Sequence, residues 1–270
     1  MWLTTVIIID LNFNRGHIMN NILKSLYIPI FLLGLSICYV GTIDPNVPDT
    51  KYIEYAKDFK YIYKICGSYE DGGRFCASAV AIDSHWILTA AHVVKNNKIC
   101  VLHKEDKAYQ VKDIIIHKDF EEGGFGFGDI AIGYIEEDLG LDFYPPLYDT
   151  EDEVGKICSI SGYGLTGTFN TGATKSDNIQ RAGSNHIDGI DRDLLICTLS
   201  RNKKTALEFL ISSGDSGGGL FIGNKLAGIN SCVLAQDKKP DSNYGDESGH
   251  TRISKFLPWI RNIMAKKKNS

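Results

Sequence analysis

Excess positive charge is missing from this sequence. Its 29 lysines and arginines face 33 aspartates and glutamates, for a formal net charge of -4, and that balance invites neither nucleic acid nor an anionic membrane surface as a partner. The basic end, Lys266-Lys267-Lys268, reads as a solvated C-terminus. Internal repeats and low-complexity tracts are absent too, which excludes solenoid and fibrous architectures. No spacing among the seven cysteines and seven histidines resembles a zinc site, so no metal is expected. Helical periodicity is scarce as well. The one good helical pattern is at the end, where Ser254 is a candidate cap for a run burying Phe256, Leu257, Ile260, Ile263 and Met264.

Long apolar runs are confined to the N-terminal part. After a burst from Val6 to Ile9 and a second candidate start at Met19, the chain carries Lys24 and then a mostly apolar stretch from Leu26 to Ile43 with no charge before Asp44. That stretch is short for a membrane-spanning helix and suits the apolar region of an export signal, with Lys24 as its positive flank. A core helix is the weaker reading. The run has no amphipathic period, contains Pro29, and ends in the polar, proline-bearing Asp44-Pro45-Asn46-Val47-Pro48-Asp49. Ser36 and Cys38 are candidate small residues before a cut, Val40-Gly41 is an alternative, and an uncleaved tether through residues 22–43 stays open. The expected organisation is therefore a leader over 1–43, a linker or short propeptide over 44–50 and one domain over 51–270, secreted or held outside the cytoplasm.

From Thr50 onward the pattern reads almost entirely as β-structure, and 43% hydrophobic residues suffice for a large core. Short runs rich in Ile, Val, Tyr and Leu recur at 61–66, 79–82, 86–89, 99–103, 109–116, 130–135, 156–161, 194–199, 219–222 and 225–230. Turn clusters such as Glu70-Asp71-Gly72-Gly73 separate them. Many short strands without helical periods between them indicate an all-β sandwich or barrel.

Chemistry concentrates in three segments. Residues 214 to 219 read Gly-Asp-Ser-Gly-Gly-Gly between two apolar runs. A serine hydroxyl needs a base and nearby N–H donors to act as a nucleophile. The flanking glycines permit positive φ, so the N–H groups of Gly214 and Ser216 can point into one oxyanion hole. A glycine-rich turn is the bland alternative, with 27 glycines in 270 residues, but such a turn has no use for the Asp-Ser pair. Upstream stand Thr89-Ala90-Ala91-His92, after the strand-like Trp86-Ile87-Leu88, and Gly128-Asp129-Ile130-Ala131-Ile132. A lone histidine is more often a surface or satisfied core residue, and His85, His103, His117, His186 and His250 are assigned to that class. His92 alone has these neighbours.

Taken together, the three segments resemble the trypsin-like, chymotrypsin-fold serine proteases, in that family's order of histidine, aspartate and serine. The likeness extends over roughly residues 50 to 265, through Ser159-Ile160-Ser161-Gly162-Tyr163-Gly164, Ala227-Gly228-Ile229-Asn230-Ser231 and Thr251-Arg252-Ile253. It implies two packed six-stranded β-barrels and a C-terminal helix, with His92 and Asp129 from the first barrel and Ser216 from the second. His92 would be the base, Asp129 its orienting partner and Ser216 the nucleophile. By the same resemblance Ser231 supports the aspartate, and its strand offers hydrogen bonds to an extended substrate.

Leu210 stands where trypsin carries its acidic pocket residue, and Val233 and Ser248 fall at further pocket positions, so small or medium apolar P1 residues are expected. In the animal enzymes a new N-terminus pairs with the aspartate before the serine, here Asp215. That N-terminus would fall near Thr50 to Ile53, where Lys51-Tyr52-Ile53-Glu54 departs from the usual sequence. Two alternatives follow: another partner for Asp215, or activity without a cut. Of the six cysteines outside the leader, Cys66, Cys76, Cys100, Cys158, Cys197 and Cys232, Cys66 with Cys76, across a predicted hairpin, is the one named disulfide candidate; all six are at least as well read as small buried hydrophobes. The expectation is a monomeric, exported endopeptidase without cofactor that acts on polypeptides, and the alternative is a protease-like binding protein.

Overall fold

The computed structural model describes residues 41–121, 126–202 and 204–268. Of the expected leader over 1–43, residues 1–40 lie outside the described residues. Among those described, no helix is long and apolar enough to cross a membrane.

A two-residue strand, β1 (Thr42–Ile43), and a helix, α1 (Asp49–Ala56), precede the first barrel. The barrel's strands are β2 (Ile62–Tyr69), β3 (Arg74–Asp83), β4 (Trp86–Thr89), β5 (Asn97–Lys104), β6 (Lys107–Ile116) and β7 (Ala131–Ile135). They close in the order β2-β3-β4-β7-β6-β5. Their aliphatic residues fill the interior: Ile65, Val80, Leu88, Leu102, Val111 and Ile132 are all buried. Between β4 and β5 a single helical turn, α2 (Ala91–Val94), carries His92. In the β2–β3 hairpin Gly73 N–H donates to Asp71 Oδ1 at 2.9 Å, tightening the turn. Cys66 and Cys76 face each other across this hairpin and form the expected disulfide.

The second half contains β8 (Ile157–Gly162), β9 (Thr166–Thr168), β10 (Gly172–Lys175), β11 (Arg181–His186), β12 (Gly189–Asp191) and β13 (Leu194–Thr198). It continues with β14 (Phe209–Leu210), β15 (Gly219–Ile222), β16 (Lys225–Ala235) and β17 (Asp246–Arg252). The all-β class, the first barrel and the terminal helix agree with the sequence reading, but this half is not a closed ladder. It forms a seven-stranded sheet, β11-β8-β15-β16-β17-β13-β12, and a four-stranded sheet, β10-β9-β1-β14. The reason lies at one seam. The chain leaves β8 at His186 and joins β13 only from Asp188, whose N–H donates to Ile196 O at 2.8 Å. A side chain spans the gap instead, the Asn185 amide donating to Thr198 O at 3.2 Å and Phe209 O at 3.1 Å.

Helix α1 is an element that the sequence reading assigned to β or linker. It is fastened to β11 by Arg181, which is 1% exposed and forks onto Asp49 at 2.6 and 2.7 Å. The terminal helix, α3 (Ile253–Lys268), buries Phe256, Leu257 and Ile260 of the predicted run, with Ile253 in addition, while Ile263 and Met264 are only partly buried. Ser254 does not cap it. The helix begins one residue earlier, and the Ser254 hydroxyl donates to the buried Glu153 at 2.8 Å. Arg252 completes that site bidentately, at 2.9 and 2.8 Å.

Replacing Cys66 and Cys76 together by alanine should lower the urea unfolding free energy by about 2 to 3 kcal/mol, the loop-entropy scale for so short a separation. An unchanged unfolding midpoint would mean that the hairpin does not depend on the bridge.

Candidate active site

The first barrel positions a histidine and a carboxylate. His92 sits on the turn after β4, and Asp129, just ahead of β7, is 1% exposed. Asp129 Oδ1 accepts the His92 backbone N–H at 2.8 Å, and Oδ2 lies 2.6 Å from His92 Nδ1. A carboxylate can only accept, so Nδ1 carries the proton and Nε2 is left as the basic nitrogen. The imidazole is 42% exposed, so that nitrogen is open to a reactant. From the second half, the Ser231 hydroxyl donates to Asp129 Oδ2 at 2.6 Å and Thr251 Oγ1 donates to Asp129 O at 3.0 Å.

Ser216 lies in the loop between β14 and β15, half-buried, with Gly214 at φ 90° and Gly217 at φ 83°. These are left-handed values that disfavour any residue with a Cβ. At Gly217 a Cβ would also stand 2.1 Å from Ser78 O, so only glycine lets this loop lie against β3. Ser78 organises the loop: its N–H donates to Ser216 O at 2.9 Å and its hydroxyl donates to Gly214 O at 3.0 Å. The same hydroxyl accepts from Tyr163 N–H at 2.8 Å. Both carbonyls are thereby turned toward β3. Among the described residues the N–H groups of Gly214 and Ser216 have no acceptor, the condition for receiving a substrate oxyanion. Ser78 was missed in the sequence, where a serine in an apolar strand carries no signal, and Thr251 was read as part of the family likeness without a role.

Asp215 is fully buried. Its oxygens accept N–H groups from Gly164 and Ser212 at 3.0 Å each, and the Gly41 N–H also donates to it. Burial pushes its carboxyl up to about 7, against these bonds. The stretch near Thr50 to Ile53 is not its partner. Residues 50–53 belong to α1, and Tyr52 is buried with its hydroxyl donating to Glu208 O at 3.1 Å.

The pocket positions are placed separately. Val233 and Ser248 face each other across β16 and β17, whereas Leu210, fully buried, lies on another sheet opposite Thr42. The Ser248 hydroxyl lies 2.9 Å from His250 Nε2, and His250 Nδ1 lies 2.9 Å from Asn230 Oδ1. Full burial lowers the His250 pKa to about 3, so this ring is a satisfied, neutral core histidine. Among the described residues no group of three His, Cys, Asp or Glu side chains is arranged to hold a metal ion.

Comparison with known proteins shows the family and the fold. The family model described as Trypsin matches residues 56–260. The chain is 24% identical over 238 residues to Serine protease SSP1 of Scolopendra subspinipes, covering 77% of this chain and 79% of that protein. It is 26% identical over 244 residues to Trypsin eta of Drosophila melanogaster, covering 78% and 87%. Among solved structures, HL collagenase superposes with a TM-score of 0.63 at 20% identity, over 77% of this chain and 94% of that one. Mouse neuropsin, a serine protease of the limbic system, gives 0.60 at 20% identity, over 76% and 95%. At that identity the structural likeness speaks for the fold.

The buried Asp215 generates a pH dependence. Its folded pKa of about 7 exceeds the ordinary 3.8, so between these values the folded state holds a proton that the unfolded state has released. Stability of the uncut chain should therefore fall as pH rises from about 4 to 7. Urea unfolding across that range measures it, and Asp215→Asn should flatten the slope. A wild-type slope of the opposite sign that the substitution removes would contradict the assignment.

Proposed function

The chain belongs to the trypsin family of serine endopeptidases, and from that premise we propose that it cleaves polypeptides through an acyl-enzyme formed on Ser216. The observation that carries the reading is the His92–Asp129 pair, with Nδ1 bound to the buried carboxylate at 2.6 Å. In this reading Nε2 takes the Ser216 proton as the hydroxyl attacks the scissile carbonyl, then returns it to the leaving amine. The charge that develops on the carbonyl oxygen is received by the N–H groups of Gly214 and Ser216. Water deacylates the enzyme by the same proton path in reverse.

Substrate grip is assigned to β16. The edge of β16 away from β17 bonds to Gly217 and Gly218 as far as Asn230, and in this reading an extended peptide continues that edge from Ser231 to Val233, its main chain bonding there whatever its sequence. Apolar P1 residues suit Leu210, where no acid offers a counter-charge to lysine or arginine. Val233 and Ser248, on the other sheet, are proposed as specificity positions apart from Leu210.

For maturation, the Gly41 N–H at Asp215 is the supporting observation. A cut ahead of Gly41, at the Val40-Gly41 junction already considered for leader removal, would turn that N–H into an ammonium beside a buried carboxylate. The ion pair would hold Asp215 ionised and stabilise the loop that carries Gly214 and Ser216. Export and the monomeric state belong to the same proposal, with the apolar segment over 22–43 as signal or tether.

A fluorophosphonate probe tests the nucleophile: the cut protein should be labelled in the wild type and not in Ser216→Ala. A folded wild type that stays unlabelled, cut and uncut, would instead favour a protease-like binding protein. Asp129→Asn should lower kcat by about four orders of magnitude, because the histidine then adopts the wrong tautomer. Peptides with alanine, valine or leucine at P1 should be cleaved about tenfold or more faster than those with lysine or arginine, the scale of an unpartnered buried charge. Faster cleavage after lysine would overturn the assignment of Leu210.

A further inference from the structure

A second cavity lies away from the triad. Its volume is about 590 Å³, and neither His92, Asp129 nor Ser216 is among its lining. Much of the wall is apolar or aromatic, from Tyr63, Tyr109, Leu139, Leu141 and Tyr163, and one half-buried cation, Lys104, enters it. The Lys104 ammonium donates to three neutral acceptors, Ile62 O at 2.7 Å, Gln180 Oε1 at 3.2 Å and Tyr163 Oη at 3.5 Å. It also stands 5.6 Å from the centre of the Tyr63 ring. Among the described residues no carboxylate lies within ion-pair range of it. Removing a charge from water is costly unless a counter-charge replaces the lost hydration, and here the one acid that acts on Lys104, Glu105, makes no ion pair with it. Lys57, Lys60 and Lys107 also line the cavity, all exposed, and Glu105 is the one acid in its lining.

We propose that this cavity binds a small organic anion with an apolar body, its carboxylate or equivalent group pairing with Lys104 and its body lying against Tyr63, Tyr109, Leu139 and Leu141. The size suits such a ligand, since small-molecule sites span about 300 to 1,000 Å³ and are mostly apolar with a few placed polar groups. The weakest of the three Lys104 bonds, the one to Tyr163 at 3.5 Å, is the one an incoming oxygen would replace. Burial lowers the Lys104 pKa to about 8, a sign that the ammonium lacks the stabilisation a bound anion would supply.

Isothermal titration of the full-length protein with decanoate is the test, with decylammonium and acetate as companions. Decanoate should bind saturably at one site. Decylammonium, with the same body and the opposite charge, should bind about tenfold or more weakly, as should acetate, which lacks the body. Lys104→Met, which keeps the stem and removes the charge, should weaken decanoate by a similar factor. Should that variant fail to fold, Leu141→Asp puts a carboxylate on the cavity wall at a half-buried position and should have the same effect. Equal binding of decanoate and decylammonium, full affinity in a folded variant, or no saturable binding of decanoate would overturn the proposal.

Discussion

One buried carboxylate ties the molecule together. Asp129 is nearly inaccessible to solvent, and a charge in that position persists only where donors replace its lost water. Two donors come from the first barrel, the backbone and ring of His92, and one comes from the second half, the Ser231 hydroxyl. Thr251, on β17, adds a bond to the Asp129 carbonyl. The groups that orient the histidine are therefore the same groups that join the two halves. A change that separates the halves would take the Ser231 and Thr251 bonds from Asp129 and loosen the support of the carboxylate that orients the imidazole. Fold stability and the geometry of the site are coupled through a few short hydrogen bonds.

Ser78 makes the reciprocal connection. It belongs to β3 of the first barrel, yet its N–H and hydroxyl bond to Ser216, Gly214 and Tyr163 of the second half. Asp215 holds the same loop from the other side, through N–H groups of Ser212, Gly164 and Gly41. The loop is thus clamped between a neutral hydroxyl and a carboxylate with no cation in direct contact. The first clamp is complete as the chain stands. The second is electrostatically unfinished, because burial still favours protonation of Asp215. This is the element through which a change near Gly41 would reach the site.

What could be read in the sequence follows from what makes each element fold. The runs at Trp86–Thr89 and Gly219–Ile222 form strands with the boundaries that their apolar patterns predict, since burial of aliphatic side chains drives them. Strands β11 and β17 read Arg-Ala-Gly-Ser-Asn-His and Asp-Glu-Ser-Gly-His-Thr-Arg, and no such pattern exists in either. β17 is a strand because β16 and β13 take up its backbone groups on both sides, whereas β11 is a sheet edge paired with β8 and bridged at Ser184 to Glu208; in both, Arg181, Asn185, Ser248 and His250 find partners that composition cannot reveal. Helix α1 escaped notice for a similar reason: its eight residues are held by Tyr52 and by the Arg181–Asp49 fork rather than by a long apolar face. The segments around His92, Asp129 and Ser216 were legible because their residue types are rare in combination. The placement of Gly41 beside Asp215 was not, since it depends on the pairing of a two-residue strand with β14.

The central claim is that Asp129 fixes the His92 ring with its proton on Nδ1 and leaves Nε2 as the base. Nitrogen-15 NMR of the protein labelled in its histidine rings, at a pH where His92 is neutral, tests this directly. The account predicts a protonated Nδ1 and a bare Nε2 for His92 in the wild type, and a changed tautomer in Asp129→Asn. A wild-type ring with its proton on Nε2, or one that Asp129→Asn leaves unaltered, would contradict it.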